Sequence, residues 1–292
     1  MKKDIELIFI TKLDRKYGAQ NHVISYVDYI ANNRSDLSSC YLVSFSDCIY
    51  DLTLALDAGL KLINVSTLEG FYLFFNLVAK RTSTIKLESH SALAGLISGI
   101  LSRVFNHISH IHHVHGSFLN KFNSTVVQGY LRRCFILIEK FLWKGSLLLF
   151  CSEEDLSYYR SLGFDKRRLF RFKYYISSTR STGLKEKNTK GLIKFVFVAG
   201  FRKQKNQKEF VNCVLNAPEI SAEFHFFGDG PEKESIEDKV LQSDDERFFF
   251  HGFRSPEYLN EFIAKNRCIG VLLSFYEGQP LALIEYLSYG LP

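Results

Sequence analysis

Apolar and polar positions along the chain predict strands and helices in turn. The first apolar run, Ile5–Ile10, is continuous, as in a strand that is buried on both faces. In residues 1–175 the pattern predicts strands at 5–10, 41–46, 84–87, 108–115 and 147–151, and helices at 19–32, 68–80, 91–105, 124–143 and from Ser152 onward. This order is typical of a doubly wound α/β domain with a parallel sheet.

The alternation stops at 176–191, where Ser, Thr, Lys, Asn and Gly dominate, and this composition predicts a linker. It then resumes, with strands predicted at 193–199, 223–227, 248–250 and 269–273 and helices at 204–215, 231–241, 256–265 and 280–289. We therefore expect an α/β protein with two Rossmann-like domains, residues 1–175 and 192–292. Open α/β sheets bind ligands at the carboxyl ends of their strands, so the loops there are the first candidates for a site.

Composition is that of an ordinary globular protein, with 46% hydrophobic and 23% charged residues in 292. No run approaches the roughly 20 apolar residues that cross a bilayer, and the first apolar run is too short for a signal peptide. We therefore expect a cytoplasmic protein. Six scattered cysteines without a CxxC pair predict reduced thiols.

The net charge of +6 is compatible with nucleic acid, anionic lipid or a phosphorylated substrate as partner. The sequence has no basic recognition helix and no zinc-finger or RNP-like motif. Nucleic acid is therefore not an expected partner.

A basic, glycine-containing loop follows the strand at 193–199. It contains Gly200, Arg202 and Lys205 and leads directly into a helix. Glycine lets a ligand approach the backbone, and free N–H groups at a helix start together with two cations suit a diphosphate. A solvated basic loop is the ordinary alternative.

The most informative segment is residues 274–285, Ser-Phe-Tyr-Glu-Gly-Gln-Pro-Leu-Ala-Leu-Ile-Glu. Glu277 lies in the loop and Glu285 in the following helix. A loop carboxylate can accept hydrogen bonds from sugar hydroxyls, and a helical one can accept a pair from a ribose diol. Gly278 and the helix start between them can present N–H groups to phosphates.

Together with Gly228-Asp229-Gly230-Pro231 and His251-Gly252-Phe253, these segments make residues 193–292 resemble the donor-binding domain of GT-B glycosyltransferases of the retaining family 4 type. The resemblance implies that Arg202 and Lys205 contact the donor diphosphate, Glu277 the transferred sugar and Glu285 the ribose. It also implies donor binding without a metal cofactor, in line with the absence of any Asp-x-Asp pair.

The N-terminal half resembles the acceptor domain of that family less closely. Gly18 is the only glycine where the family has a Gly-Gly-rich loop that contacts donor phosphate. His115 ends a strand where many members have a histidine that faces the sugar. The resemblance thus adds Gly18 and His115 as candidate site residues.

Five of the nine histidines lie between residues 107 and 115, so a metal site is an alternative. On a strand, however, His110 and His112 would face one side, and His113 and His115 the other. No carboxylate or cysteine is near in sequence. Local packing or a single functional His115 is the favoured interpretation, and no metal is expected.

Residues 131–150 combine Arg132, Arg133, Lys140 and Lys144 with Phe135, Phe141 and Trp143. A basic, aromatic helix can lie on an anionic membrane surface, which predicts a peripheral contact at the inner face of the membrane. An ordinary amphipathic helix of the domain is the alternative.

The chain ends at a Gly-Leu-Pro segment that leads, in the family, into a further strand and closing helices, so we expect a C-terminally truncated donor domain. The expected function is transfer of a sugar from a nucleotide-sugar donor to a glycan or lipid-linked acceptor in cell-surface polysaccharide biosynthesis. A truncated, non-catalytic chain that binds nucleotide or a partner, and a GT-B-fold sugar-nucleotide epimerase, are the alternatives.

Overall fold

The computed structural model of the chain describes residues 4–14, 18–80, 83–115, 126–172, 191–275, 277 and 280–292. The chain divides into two compact units, residues 1–174 and 175–292, here called unit 1 and unit 2. The predicted linker, 176–191, lies outside the described residues except for Gly191. Among the described residues, none of the helices has the length and apolar character needed to cross a membrane.

Unit 1 contains a parallel sheet of seven strands in the order β3-β2-β1-β4-β5-β6-β7. The strands are β1 (Ile5–Phe9), β2 (Cys40–Ser44), β3 (Lys61–Asn64), β4 (Ile85–Ser89), β5 (Ile108–Val114), β6 (Leu147–Phe150) and β7 (Leu169–Arg171). The helices between them are α1 (Gly18–Asn33), α2 (Thr53–Asp57), α3 (Leu68–Ala79), α4 (Ala92–Val104), α5 (Val126–Leu142) and α6 (Glu153–Ser161).

The central strand explains why this sheet forms. All five residues of β1 are buried, and β1 pairs in parallel with β2 on one side and β4 on the other. A strand covered on both faces is mostly apolar, and four of the five residues of β1 are; the exception, Glu6, pairs with Arg34 and Lys86. Two clusters of buried apolar residues cover its two faces, one with Ile8 and Val23, the other with Leu7 and Phe74.

Unit 2 contains a parallel sheet of four strands in the order β10-β9-β8-β11. They are β8 (Ile193–Val198), β9 (Ala222–Phe227), β10 (Phe248–Gly252) and β11 (Cys268–Gly270), and the helices are α7 (Gln207–Leu215), α8 (Lys233–Ser243), α9 (Pro256–Lys265) and α10 (Leu281–Ser288). Stacked Phe197, Phe226 and Phe250 contribute to its core. The predicted fold class, α/β with two parallel-sheet units, is confirmed.

The structure adds three elements that the sequence pattern did not predict, namely α2, β3 and β7. β3 lies at the edge of its sheet and buries only Ile63 of its four residues. An edge strand with one buried side chain has too little apolar patterning to stand out in a sequence.

Candidate functional site

The loops at the carboxyl ends of the unit 2 strands are joined by backbone hydrogen bonds. Phe201 N donates to Asp229 O at 3.0 Å, Gly228 N to Gly252 O at 2.9 Å, and Phe275 N to Gln204 O at 2.9 Å. The four sequence segments that carry the family resemblance therefore meet at one edge of the sheet. We call the described residues within 199–207, 228–232 and 274–285 the donor-side loops.

Two glycines make this close approach possible. A Cβ on Gly228 would lie 2.1 Å from Ala199 O, and one on Gly230 would lie 2.4 Å from Phe201 O. Both residues also have positive φ, +144° and +157°, which side chains rarely adopt. Phe201 fixes the basic loop to the core of unit 2, since its side chain is 1% exposed and packs against Phe226.

The structure brings Lys205 and Glu277 together. Lys205 Nζ and Glu277 Oε1 form an ion pair, with the two side chains 22% and 20% exposed. Arg202 immediately precedes the short 3-10 helix 203–205 that carries Lys205. The cationic loop and the first carboxylate of the 274–285 segment thus form one partly buried, charged site.

Helix α7 begins later than predicted. The sequence pattern placed its start at 204, but residues 203–205 form the 3-10 helix and Asn206 has the left-handed backbone, with φ of 60°. This break turns the chain before α7. The buried Gln207 then donates through Nε2 to Gly200 O at 3.1 Å, which holds the loop against the helix start.

The helices that begin at the donor-side loops lack side-chain caps. Within the part of the chain that the structure describes, no side chain caps the N-termini of α7, α8 or α10. By contrast, Ser or Thr caps α3, α4, α6 and α9. An uncapped helix start leaves N–H groups for another acceptor, and a phosphate is a suitable one.

Glu285 lies in α10, next to the residue that fixes this helix to the sheet. The buried Tyr286 hydroxyl accepts from Val198 N at 2.8 Å and lies 3.1 Å from Val196 O, to which it donates. Burial raises the Tyr286 pKa far above its ordinary value. The hydroxyl therefore stays protonated and holds α10, with Glu285, at the carboxyl end of β8. Gly278 lies outside the described residues.

In unit 1, Gly18 is the first residue of α1, and His115 directly follows β5. His115 belongs to a group of four imidazoles at the carboxyl edge of this sheet, with His22 on α1, His90 after β4 and His113 on β5. We call these four the histidine cluster.

His110 and His112 lie on the other face of β5, where both contact Ser89 Oγ at 2.8 Å, as strand alternation predicted.

The partners of the histidine cluster could not be predicted from the sequence. His113 Nε2 donates to Glu88 Oε2 at 3.1 Å, and His90 Nδ1 lies 3.1 Å from His115 Nε2. Burial would raise the Glu88 pKa, but hydrogen bonds from His113 and Lys86 outweigh it and lower the pKa to about 2. Burial, reinforced by His113, lowers the pKa of His22 to about 3. The strand order β1-β4-β5 would have been needed to infer that His90 and Glu88 lie beside His113.

A cleft of about 1100 Å³ lies at the opposite, amino-terminal edge of the unit 1 sheet. Its lining mixes acidic Asp4 and Glu6 with basic Arg34, Lys86 and Arg168. Because α/β sheets bind ligands at the carboxyl ends of their strands, we do not assign the candidate site to this cleft.

Comparison with known proteins places unit 2 within a recognised type of domain. Residues 193–292, about a third of the chain, match the family described as Glycosyl transferases group 1. A comparison with curated proteins found no match.

Several solved structures are similar to the whole chain. HepE of Anabaena, in complex with UDP and glucose, has a TM-score of 0.72 and 13% identity, covering 99% of this chain and 79% of that one. WaaG, a glycosyltransferase involved in lipopolysaccharide biosynthesis, has a TM-score of 0.67 and 12% identity over 99% and 80%. Sucrose-phosphate synthase of Thermosynechococcus elongatus has a TM-score of 0.68 and 16% identity over 99% and 80%. At these identities the likeness shows the fold, which is of the GT-B type.

Proposed function

We propose that the protein is a retaining glycosyltransferase that moves a sugar from a nucleotide-sugar donor to a glycan or lipid-linked acceptor in cell-surface polysaccharide biosynthesis. The observation that carries the proposal is the Lys205–Glu277 ion pair within the donor-side loops. A diphosphate-binding cation and a sugar-binding carboxylate must lie side by side, because the two parts of the donor are covalently linked. The match of residues 193–292 to a glycosyltransferase family supports the same interpretation.

Each candidate residue has a chemical role in this proposal. As the bond to the sugar breaks, negative charge grows on the leaving diphosphate, and Arg202 and Lys205 stabilise it. Free N–H groups at the start of α7 and α10 add to this stabilisation. Glu277 accepts hydrogen bonds from the sugar hydroxyls and Glu285 from the ribose diol. From the family resemblance we also propose phosphate contacts for Gly18 and Gly278 and a contact with the sugar for His115.

The proposed donor binding needs no metal cofactor. Cationic side chains and helix N-termini can together neutralise a diphosphate, which in other enzymes is the work of a divalent ion. The nucleotide to test first is UDP, because HepE binds UDP and UDP-glucose and has the same fold.

Replacing Arg202 with Ala should weaken binding of UDP or UDP-glucose at least about tenfold, because a charge-assisted contact to phosphate contributes about 1.5–3 kcal/mol. Isothermal titration calorimetry with and without EDTA measures both the affinity and any need for metal. Lys265→Ala is the matched control, since Lys265 is an exposed cation at the C-terminal end of α9. Equal affinities of the wild-type protein and Arg202→Ala would contradict the assignment.

Product analysis distinguishes the transferase from the two alternatives, an epimerase and a non-catalytic binding protein. A panel of sugar nucleotides is incubated with the chain, with and without oligosaccharide or lipid-linked acceptors. Release of nucleoside diphosphate together with a glycosylated acceptor supports the transferase. Isomerised donor would identify an epimerase, and binding without turnover a non-catalytic protein.

We also propose that unit 1 makes peripheral contact with an anionic membrane. Large apolar side chains are exposed on α5, including Leu137 at 67% and Phe141 at 63%, and Arg133 and Lys144 on the same segment are exposed cations. Trp143, in contrast, is buried and donates to Gly95 O at 3.0 Å, so it does not belong to this surface. Its inclusion among the membrane-facing aromatic residues was wrong.

The double substitution Leu137→Glu and Phe141→Glu should reduce co-sedimentation with phosphatidylglycerol vesicles by roughly tenfold. Two apolar side chains that would insert into the lipid are replaced by negative charges that anionic lipid repels. Leu241→Glu in unit 2 is the control, since Leu241 is 80% exposed on α8. Vesicles of phosphatidylcholine alone show how much of the binding depends on charge. Unchanged sedimentation of the double variant would exclude this surface.

A further inference from the structure

The histidine cluster brings three potential ligand atoms together from three different elements. One ring nitrogen each of His22, His90 and His113 lies within 4.8 Å of the others. His22 comes from α1, His90 from the residue after β4, and His113 from β5. Side chains that converge from separate elements in this way are held by the fold and not by a single flexible loop.

Two of these imidazoles have a buried nitrogen without a partner. Among the residues that the structure describes, neither His90 Nε2 nor His113 Nδ1 has a hydrogen-bond partner. His90 is fully buried and the His113 side chain is 11% exposed. An unsatisfied buried polar atom costs about 1–3 kcal/mol, so two neighbouring ones require an explanation.

The opposite nitrogen of each ring is already engaged. His113 donates through Nε2 to Glu88, which leaves the lone pair of Nδ1 directed away from the carboxylate. His90 Nδ1 lies 3.1 Å from His115 Nε2, and the tautomer in which His90 donates this hydrogen bond leaves a lone pair on its own Nε2. A histidine that binds a metal commonly donates its second N–H to a carboxylate or another acceptor, which fixes the tautomer and orients the ring.

The chemistry of the donor atoms favours a cation as the occupant. A neutral imidazole binds a metal through the lone pair of a ring nitrogen. The carboxylate of Glu88, which also pairs with Lys86, lies behind His113 at 3.1 Å. Imidazole nitrogens backed by a carboxylate are a common ligand arrangement for a divalent cation.

We propose that His22, His90 and His113 form a binding site for a divalent cation of the zinc type, with Glu88 and His115 as outer partners that orient the ligands. Zinc binds imidazole nitrogen at about 2.0–2.1 Å, so tetrahedral ligands lie about 3.3 Å apart and modest side-chain rotation would close the present spacing. Three protein ligands leave one coordination position for water or for a hydroxyl or phosphate oxygen. The site lies within unit 1 and is independent of the proposed metal-free binding of the donor diphosphate.

The test is metal binding by the full chain without an affinity tag. After treatment with a chelator and dialysis, Co²⁺ is added as a spectroscopic probe, and its visible absorption reports nitrogen coordination in a tetrahedral site. Competition with Zn²⁺ then gives the zinc affinity. We expect one ion per chain with an intense visible band that Zn²⁺ abolishes.

Variants show whether the ion is bound by this cluster. His113→Ala should weaken Co²⁺ binding at least about 100-fold, and Glu88→Gln, which leaves all three ligands in place, about 10–100-fold. His107→Ala is the control because His107 lies just before β5, at the opposite end of that strand, where its ring contacts Val78 O and Phe105. Its affinity should equal that of the wild-type protein.

Two results would overturn the proposal. One is a wild-type chain that is folded by circular dichroism but shows no visible Co²⁺ band. The other is a band of equal affinity in His113→Ala and in His107→Ala. Since loss of a buried histidine can unfold unit 1, the thermal midpoint is measured as well, and Zn²⁺ should raise it in the wild-type and His107→Ala proteins only.

Discussion

Gly228→Ala is expected to destabilise unit 2 by about 4 kcal/mol. The structure has no space for the new methyl group, and the backbone conformation of Gly228 is one that alanine rarely adopts. The added Cβ would lie 2.1 Å from Ala199 O, a backbone atom that cannot rotate away. In addition, the φ of Gly228 is +144°, a region that alanine rarely adopts. Urea unfolding followed by far-UV circular dichroism measures the loss of stability.

Gly191→Ala is the matched control for this prediction. Gly191 also has a positive φ, +106°, but no atom of the described residues lies within 4 Å of its hypothetical Cβ. The Gly191→Ala substitution should therefore reduce the free energy of unfolding only by the conformational strain, about 1 kcal/mol. If both substitutions reduced the free energy of unfolding equally, the close approach of Gly228 to Ala199 would not be what stabilises the donor-side loops. The folded fraction of Gly228→Ala should also bind UDP more weakly, since this approach positions the basic loop.

The second large effect concerns pH and the buried Glu139 on α5. This carboxyl is 5% exposed, and burial raises its pKa from 4.5 to about 7, despite the hydrogen bond that the Tyr159 hydroxyl donates to it at 3.1 Å. Between these two values the folded protein retains a proton that the unfolded chain has released. The contribution of Glu139 to stability therefore falls as pH rises from about 4.5 to about 7, in total by about 3 kcal/mol, and this loss is complete above pH 7. Buried histidines whose pKa is lowered, such as His22, act in the opposite direction, so the effect of Glu139 is measured as a difference between the wild-type protein and a variant.

Glu139→Gln should abolish this loss, because a neutral amide carries no ionisation penalty. The variant should match the wild-type protein near pH 4.5 and exceed its free energy of unfolding by about 3 kcal/mol at pH 8. Trp143, the only tryptophan, lies in unit 1 one turn after Glu139, so its fluorescence follows unfolding of the relevant unit. Glu154→Gln, at an exposed position on α6, is the control and should keep the wild-type pH profile. A difference in free energy of unfolding between Glu139→Gln and the wild-type protein that stays constant from pH 4.5 to pH 8 would contradict the prediction.

Much of the fold could be predicted because buried parallel strands are apolar along their whole length. Ile5–Phe9 is the clearest case, since every residue is buried and every position but Glu6 is strongly apolar. β3 could not be predicted, because an edge strand that buries only Ile63 carries almost no pattern. The start of α7 was predicted too early because the left-handed conformation of Asn206 interrupts a segment whose composition is otherwise suitable for a helix.

The site was predictable in part for a different reason. Lys205 and Glu277 could be predicted as candidates from the motifs in their loops. Their direct contact could not, because it depends on the pairing of β8 with β11, which local motifs do not reveal. The same holds for His90 and Glu88, which are distant from His113 in sequence and reach it because β4 pairs with β5. Candidate residues follow from local motifs, whereas contacts between them follow from strand order.

The uncapped starts of α7 and α10 have a thermodynamic consequence for the free protein. A serine, threonine, asparagine or aspartate cap stabilises a helix by about 1 kcal/mol, and neither of these helices receives that contribution from its own side chains. An anionic ligand that accepts from these N–H groups would supply it. The melting temperature of unit 2 would then depend on the concentration of nucleotide, so that the protein is most resistant to unfolding and proteolysis where its substrate is abundant.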